Sequence, residues 1–247
     1  LKILGIDTSN QGLGVALVED GVVIGNHLGE KSKNHSVSLM PAINQEMKKA
    51  GWKPTDLNRI VVASGPGSYT GLRIGVTTAK TLAWTLGIEL VSVSSLAAIA
   101  ANSRDYGGLI IPLFDARRQN IYTGAYQWQS GELVSVIADK HTSLMDWLAE
   151  LQATGTKELR FVGEDVINFS EAIKTIIPTA ECCEEQVLNQ VDASSLALLG
   201  EDAEPIKDIH GFTPNYLKRV EAEENWLKEN QDTVQTYVEK VSYDNDK

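Results

Sequence analysis

The chain has little cysteine, little basic charge and no long apolar run. Of its 247 residues only Cys182 and Cys183 are cysteines, and they are adjacent. Neighbouring cysteines rarely bridge each other, so a disulfide framework is excluded and a reducing compartment is expected. Lysine and arginine number 22 against 33 acids, a net charge of −11. That balance disfavours free nucleic acid as a direct ligand, because phosphate binding is driven by basic surface. No apolar stretch reaches the roughly 18 residues of a membrane span, so no membrane partner is expected. The first strand opens at residue 1, so no leader is expected ahead of the fold and a cytoplasmic setting is the expectation. His27, His35, His141 and His210 lack H-x-x-x-H or H-E-x-x-H spacing, so no metal site is nominated. No Ser, His and Asp set is nominated by spacing either.

What is present centres on Ser64 to Gly75, S-G-P-G-S-Y-T-G-L-R-I-G. An apolar strand, 59–63, runs into it and a helix, 70–86, runs out. A strand, a glycine turn and a helix present backbone N–H groups where anions bind well. Three phosphate or nucleophile motifs nearly fit. Walker A needs a lysine that is missing, and Gly65, Gly67 and Gly71 are one residue too widely spaced for a dinucleotide fingerprint. The hydrolase elbow needs serine where Tyr69 stands.

Before this stretch, residues 1–9, 13–18 and 22–28 form three meandering strands, with Asp20-Gly21 as a hairpin turn. A meander before any helix fits a ββαβαβα unit rather than a doubly wound order. Ser38 is the expected N-cap of the first helix, with Pro41 in the first turn and Gly51 as the stop. Leu39, Ile43 and Met47 share one face of that helix, and Met40 and Met47 suit an adaptable contact surface. In the second helix Gly71, Gly75 and Ala79 are spaced by four, with Thr78 beside them. Glycine within a helix costs about 1 kcal/mol against alanine, so another backbone is expected to come close. Two readings stand: packing on the sheet of the same domain, or contact with another subunit. Residues 89–93 follow as a strand, and Ser94 caps a short apolar helix, 96–102.

Residues 103–108 mark a boundary, after which the meander repeats over 109–114, 120–128 and 133–138. Both opening strands end in aspartate, Asp7 and Asp115, a weak internal duplication. The second half continues with a helix (144–151), a strand (159–163) and helices at 168–176 and 194–200. The expected organisation is therefore α/β, with halves at 1–103 and 108–227, and a polar acidic tail at 228–247 expected to be partly disordered.

Paired halves with matching aspartates resemble the actin, hexokinase and Hsp70 superfamily, which binds ATP and Mg²⁺ between such halves. Here Asp7-Thr8-Ser9 and Asp115-Ala116-Arg117 lack the glycine of the usual phosphate turns. Arg117 and Arg118 could meet a phosphate or a partner's carboxylate bidentately, or simply be solvated.

Several stretches together resemble the bacterial TsaB (YeaZ) family of tRNA threonylcarbamoyladenosine biosynthesis proteins. They are residues 3–9, the glycine stretch 65–75, Val93-Ser94-Ser95-Leu96, Asp115-Ala116-Arg117-Arg118 and Pro214-Asn215-Tyr216-Leu217. The resemblance implies two actin-like, ribonuclease H-like (ASKHA) halves. It implies a non-catalytic scaffold without a cofactor, since the metal-binding histidines of the catalytic relative TsaD fall at Ser95 and Ile99. It further implies pairing with TsaD, recruitment of TsaE, a homodimer in isolation, and contact with tRNA only through the complex. The implied interface comprises Leu39, Met40, Ile43 and Met47 of the first helix with Gly71, Leu72, Gly75, Thr78, Ala79 and Leu82 of the second. On that reading Gly75→Arg should leave the monomer folded and abolish pairing. Asp7, Thr8, Ser9, Gly65, Gly67, Ser68, Asp115, Arg117 and Arg118 are then a vestigial nucleotide site or a partner contact. The alternative is an actin-like ATPase or phosphotransferase with its own nucleotide site, and the missing turn glycines weigh against it. A metal-dependent hydrolase would need ligands that this sequence does not space.

Overall fold

A computed structural model of the chain describes residues 1–29 and 34–217. The acidic tail at 228–247 lies outside the described residues.

Two sheets carry the architecture. The first contains β1 (Lys2–Asp7), β2 (Leu13–Glu19), β3 (Val22–Gly29), β4 (Arg59–Ala63) and β5 (Glu89–Val93), in the order β3-β2-β1-β4-β5. The second contains β6 (Leu109–Asp115), β7 (Asn120–Gln129), β8 (Glu132–Ser143), β9 (Leu159–Val162) and β10 (Glu181–Cys182), in the order β10-β9-β6-β7-β8. Each is an antiparallel meander joined to a parallel pair, so the duplication read from the sequence is a duplication of topology. The Asp20-Gly21 turn takes left-handed φ at both positions (47° and 74°), which matches the twist of the flanking strands.

The helices are α1 (His35–Ala50), α2 (Tyr69–Leu86), α3 (Ser95–Ala101), α4 (Leu144–Ala153), α5 (Val166–Ile176), α6 (Gln186–Asn189) and α7 (Ala193–Leu199). On one face of the first sheet α1 and α2 close a core of Leu4, Ile6, Val15, Leu39, Ile43, Met47, Val62 and Val76. On its other face α7 and α3 pack Leu196, Ala197 and Ala98 against Ile3, Val18 and Val61. The far side of α3 presents Leu96, Ile99 and Ala100 to Ile110, Phe114 and Tyr126 of the second half. This short helix is apolar all round because it lies between two sheets. In the second half, Trp147, Leu148, Phe161 and Ile173 fill the core under α4 and α5.

Three expectations change. The first helix starts at His35, because the carbonyl of Asn34 already accepts the amides of Val37 and Ser38 at 3.0 and 3.2 Å. Pro41 therefore lies inside the helix rather than in its first turn. It is tolerated on an exposed face, where water can meet the carbonyl it leaves unpaired. Next, β8 extends to Ser143, since its polar end pairs with β7 in the register Asn120↔Ser143. Finally, residues 193–217 return to the first sheet rather than completing the second half. Arg59, largely buried, fixes that return: its guanidinium donates to the carbonyls of Gly200 (2.8 Å) and Ala203 (3.2 Å) and pairs with Glu89 at 2.7 Å.

Removing the Arg59 side chain strands the buried carbonyl of Gly200, the half-buried carbonyls of Glu201 and Ala203 and a carboxylate partner. Arg59→Ala should lower stability by about 3 kcal/mol, whereas Glu89→Ala, at a half-exposed carboxylate, should cost about 1 kcal/mol or less. Urea unfolding of the two variants checks the ranking.

Candidate functional site

The glycine stretch and the end of β1 meet at one corner of the first half. Ser68 caps α2, its hydroxyl accepting the Gly71 amide at 3.3 Å. The Ser68 amide in turn donates to the carbonyl of Ser9 at 2.7 Å. Thr8 is buried, and its hydroxyl donates to the Gly71 carbonyl at 2.7 Å. A Cβ on Gly71 would stand 2.1 Å from the Thr8 carbonyl oxygen, and one on Gly75 would stand 2.2 Å from Thr8 Oγ1. Both glycines therefore admit the end of β1 against the helix. Of the two readings of the Gly71, Gly75 and Ala79 face, packing within the chain is the one realised. Gly75→Arg would break this contact and would not leave the monomer intact, contrary to expectation.

Asp7 is sealed beneath the corner. One carboxylate oxygen accepts the Ser9 amide at 2.8 Å, and the other has no hydrogen-bond partner among the described residues. Burial pushes the carboxyl above the usual carboxylate range, although Ser9 and the nearby His35 pull in the opposite sense. His35 is itself held by the carbonyl of Asn10 at 2.9 Å. A nucleotide and its Mg²⁺ fit these residues poorly. The amides of Ser9, Ser68 and Gly71 are already bonded within the corner, and Asp7 is enclosed with no opening toward a cation. From behind, the loop is held by residues 214–217. The Asn215 amide donates to Ser64 at 2.7 Å, Tyr216 lies 4.9 Å from the ring of Tyr69, and a Cβ on Gly65 would meet the Asn215 carbonyl at 2.6 Å.

The matching corner of the second half is built differently. Asp115 accepts the Arg117 amide at 2.7 Å, and its own amide donates to Asp165 at 2.8 Å. Arg117, Arg118 and Gln119 then take left-handed φ of 68°, 53° and 61° in succession. Each costs roughly 1 kcal/mol for a non-glycine residue. The Asn120 side chain holds the turn by donating to the carbonyls of Arg117 and Arg118 at 3.3 and 3.2 Å. Arg117 and Arg118 are both exposed. Ser95 and Ile99 of α3 are fully buried. Among the described residues no group of three His, Cys, Asp or Glu side chains is placed to hold a metal ion.

The helix faces expected at an interface divide. Leu39, Ile43, Met47 and Ala79 pack into the first core, and Gly71, Leu72 and Gly75 are buried within the chain. Met40 is 47% exposed, and Thr78 and Leu82 are half-buried. Between α1 and α2 runs a largely apolar groove of about 510 Å³, walled by Met40, Pro41, Asn44, Trp52, Leu82 and Leu86 over a floor of Leu4, Ile43 and Met47. Trp52 and Leu86 were not singled out from the sequence. The spacing of Thr78, Leu82 and Leu86 by four was the signal for Leu86, and no local signal marks Trp52.

Two sheets of the same order, joined through α3 and a closed strand-end corner, define a two-lobed, actin-like α/β protein. The family model for TsaD, the tRNA N6-adenosine threonylcarbamoyltransferase, matches residues 29–226. The tRNA threonylcarbamoyladenosine biosynthesis protein TsaB of Bacillus subtilis is 44% identical over 92% of this chain and 99% of its own length. Its namesake from Escherichia coli is 29% identical over 63% of this chain and 71% of its own length. YeaZ of Pseudomonas aeruginosa shares the fold, with a TM-score of 0.71 at 23% identity over 87% of this chain and 99% of that one. The chain belongs to the TsaB family.

Two tests address the corners. Gln119→Gly, at an exposed position, should raise stability by about 0.5–1 kcal/mol by relieving the left-handed turn, measurable by urea unfolding. For Asp7 the folded state favours the neutral carboxyl. Its contribution is fully present below about pH 4, where the unfolded group is also protonated, and is lost as pH rises through the raised folded value. Asp7→Asn should therefore be more stable than the parent at neutral pH, with the advantage vanishing in acid. Melting temperatures of the pair across that range check the sign.

Proposed function

We propose that this chain serves the synthesis of N6-threonylcarbamoyladenosine in tRNA as a non-catalytic subunit that scaffolds and activates a catalytic partner. TsaD is the proposed partner, TsaE joins the pair, and a second copy of this chain takes TsaD's place when TsaD is absent. Contact with tRNA runs through the assembly, in keeping with the net charge of −11. The process is that named for the 44% identical relative.

The observation that carries the proposal is the apolar groove between α1 and α2. Its walls expose Met40 and Pro41 on one helix and leave Leu82 and Leu86 half-buried on the other. An apolar surface of this kind marks a protein contact more often than a solvated face. Two methionines in or under it can adapt to a partner helix. Catalytic silence is supported by chemistry at the corner: the amides that a phosphate would need are bonded internally, and Asp7 is enclosed.

Met40→Arg changes an exposed side chain and should leave the fold within about 0.5 kcal/mol of the parent. It should weaken pairing with TsaD by about 2 kcal/mol, roughly thirtyfold. Size-exclusion chromatography of the variant mixed with TsaD, followed by a tRNA modification assay, tests both parts. An unchanged complex peak refutes the interface. Turnover of Mg·ATP by the chain alone refutes the silence and favours the ATPase reading.

A further inference from the structure

The groove between α1 and α2 is apolar along most of its length and charged at one point. Among the described residues that line it Lys48 is the one ionisable side chain, and no carboxylate lines it. Met40, Asn44 and Lys48 follow one another at intervals of four along α1, so they form one row on that helix. The row passes from an apolar side chain through an amide to a cation over about 12 Å of helix. Trp52 and Pro54, which follow α1 in the chain, line the groove as well.

The carboxylates on the neighbouring elements are already engaged. Glu46 is buried and bonds Lys49 at 2.7 Å, with His27 at 3.9 Å. Asp56 accepts the Lys53 amide at 2.7 Å. Glu19 pairs with Lys2 at 3.6 Å, and the Lys2 ammonium lies 4.8 Å over the Trp52 ring. Lys48 is exposed and takes no carboxylate among the described residues. A lysine in the last turn of a helix complements the helix dipole, and Lys49 does so as well as Lys48. The dipole does not require the cation to face the groove, and Lys48 is the one that lines it. A purely apolar partner laid along the row would cover the ammonium without pairing it, which is costly. A carboxylate at that point would meet it in a charge-assisted hydrogen bond.

We propose that the groove, on the reading of it as the pairing surface, selects a partner helix whose apolar face carries a carboxylate roughly two turns from the residue seated beside Met40. Lys48 is then the residue that sets specificity, while Met40, Leu82 and Leu86 supply the apolar contact. The same cation separates a foreign partner from a second copy. Two copies paired face to face through this surface lend each other the same residues. The second groove brings Lys48 again and no lining carboxylate. Lys48 goes unmatched in that pair, so self-association is the weaker of the two.

Lys48→Met and Lys48→Glu change an exposed helical side chain, and urea unfolding checks that each folds as the parent does. Calorimetry of the full chain with TsaD at about 50 and about 500 mM NaCl reads the ion pair, which salt screens. At the lower salt Lys48→Met should weaken pairing by about tenfold and show a smaller salt dependence than the parent. Lys48→Glu, which sets like charges together, should weaken it by about thirtyfold or more. Self-association of the chain alone, followed by sedimentation equilibrium, should instead tighten in Lys48→Met. Met40→Arg, which tests the groove itself, is measured alongside. Parent-like affinity of both Lys48 variants for TsaD overturns the inference, and if Met40→Arg still disrupts the pair the groove reading survives that failure. If Met40→Arg leaves pairing unchanged as well, the groove reading falls with it. Equal loss of TsaD pairing and of self-association in Lys48→Met also overturns the inference, because it marks a general disturbance of the face and not a partner's carboxylate.

Discussion

The contact between Thr8 and the first two turns of α2 sets the rest of the molecule. A buried hydroxyl bonded to the Gly71 carbonyl, with two glycines bare of Cβ beneath it, brings a strand end and a helix to near-contact distance. No side chain other than hydrogen fits at either helical position. Because the strand end is tied there, Ser9 captures the Ser68 amide and the loop closes over Asp7. The corner in which actin-like folds receive phosphate is therefore occupied by the chain itself. A glycine-rich stretch of this kind need not bind an anion. Its glycines can serve approach by backbone just as well, and only the identity of the approaching group distinguishes the two.

Helix α3 transmits order between the halves. It buries every face, and its capping residue Ser94 donates to Asp139 while accepting the amides of Leu96 and Ala97. Asp139 also accepts from Tyr126, so one carboxylate of β8 holds the helix start against the second sheet. Burial pushes Asp139 above the usual carboxylate range, against the pull of its Ser94 and Tyr126 hydrogen bonds, and pushes Tyr126 above the range of a phenol. The return of residues 193–217 adds a second tie, through Arg59 and through Lys80, which donates to the carbonyls of His210 and Phe212 at 2.8 and 2.7 Å. With the sheet-facing side of α2 covered by β1 and another side by this returning segment, the side toward α1 is left open. The exposed groove follows from what the chain has already used to hold itself.

Much of the fold was legible locally. Ser94 caps the helix it was expected to cap, Gly51 and Gly87 end theirs in the left-handed region, and both aspartate-ended opening strands lie at the centre of their sheets. These signals depend on neighbours in sequence, so sequence carries them. Other features leave no local pattern to read. Pro41 was placed by the rule for first turns, but the helix begins one turn earlier, where the Asn34 carbonyl accepts the amides of Val37 and Ser38. The strand β10 and the short helix α6 have too few residues for a period to show. The left-handed Arg117-Arg118-Gln119 turn has no glycine to announce it, since Asn120 and the surrounding strands hold it in place.

The sequence by itself determined the α/β class, the duplicated meander, the position of the glycine corner and the want of metal spacing, because each rests on composition or on intervals along the chain. Only the tertiary structure decided which group the helical glycines admit, since a sequence of glycines specifies space and not its occupant. It also decided which half residues 193–217 complete, because that depends on where Arg59 finds its carbonyls. And it decided which side of α2 remains uncovered, a difference between surfaces that exists only once the other sides have been packed.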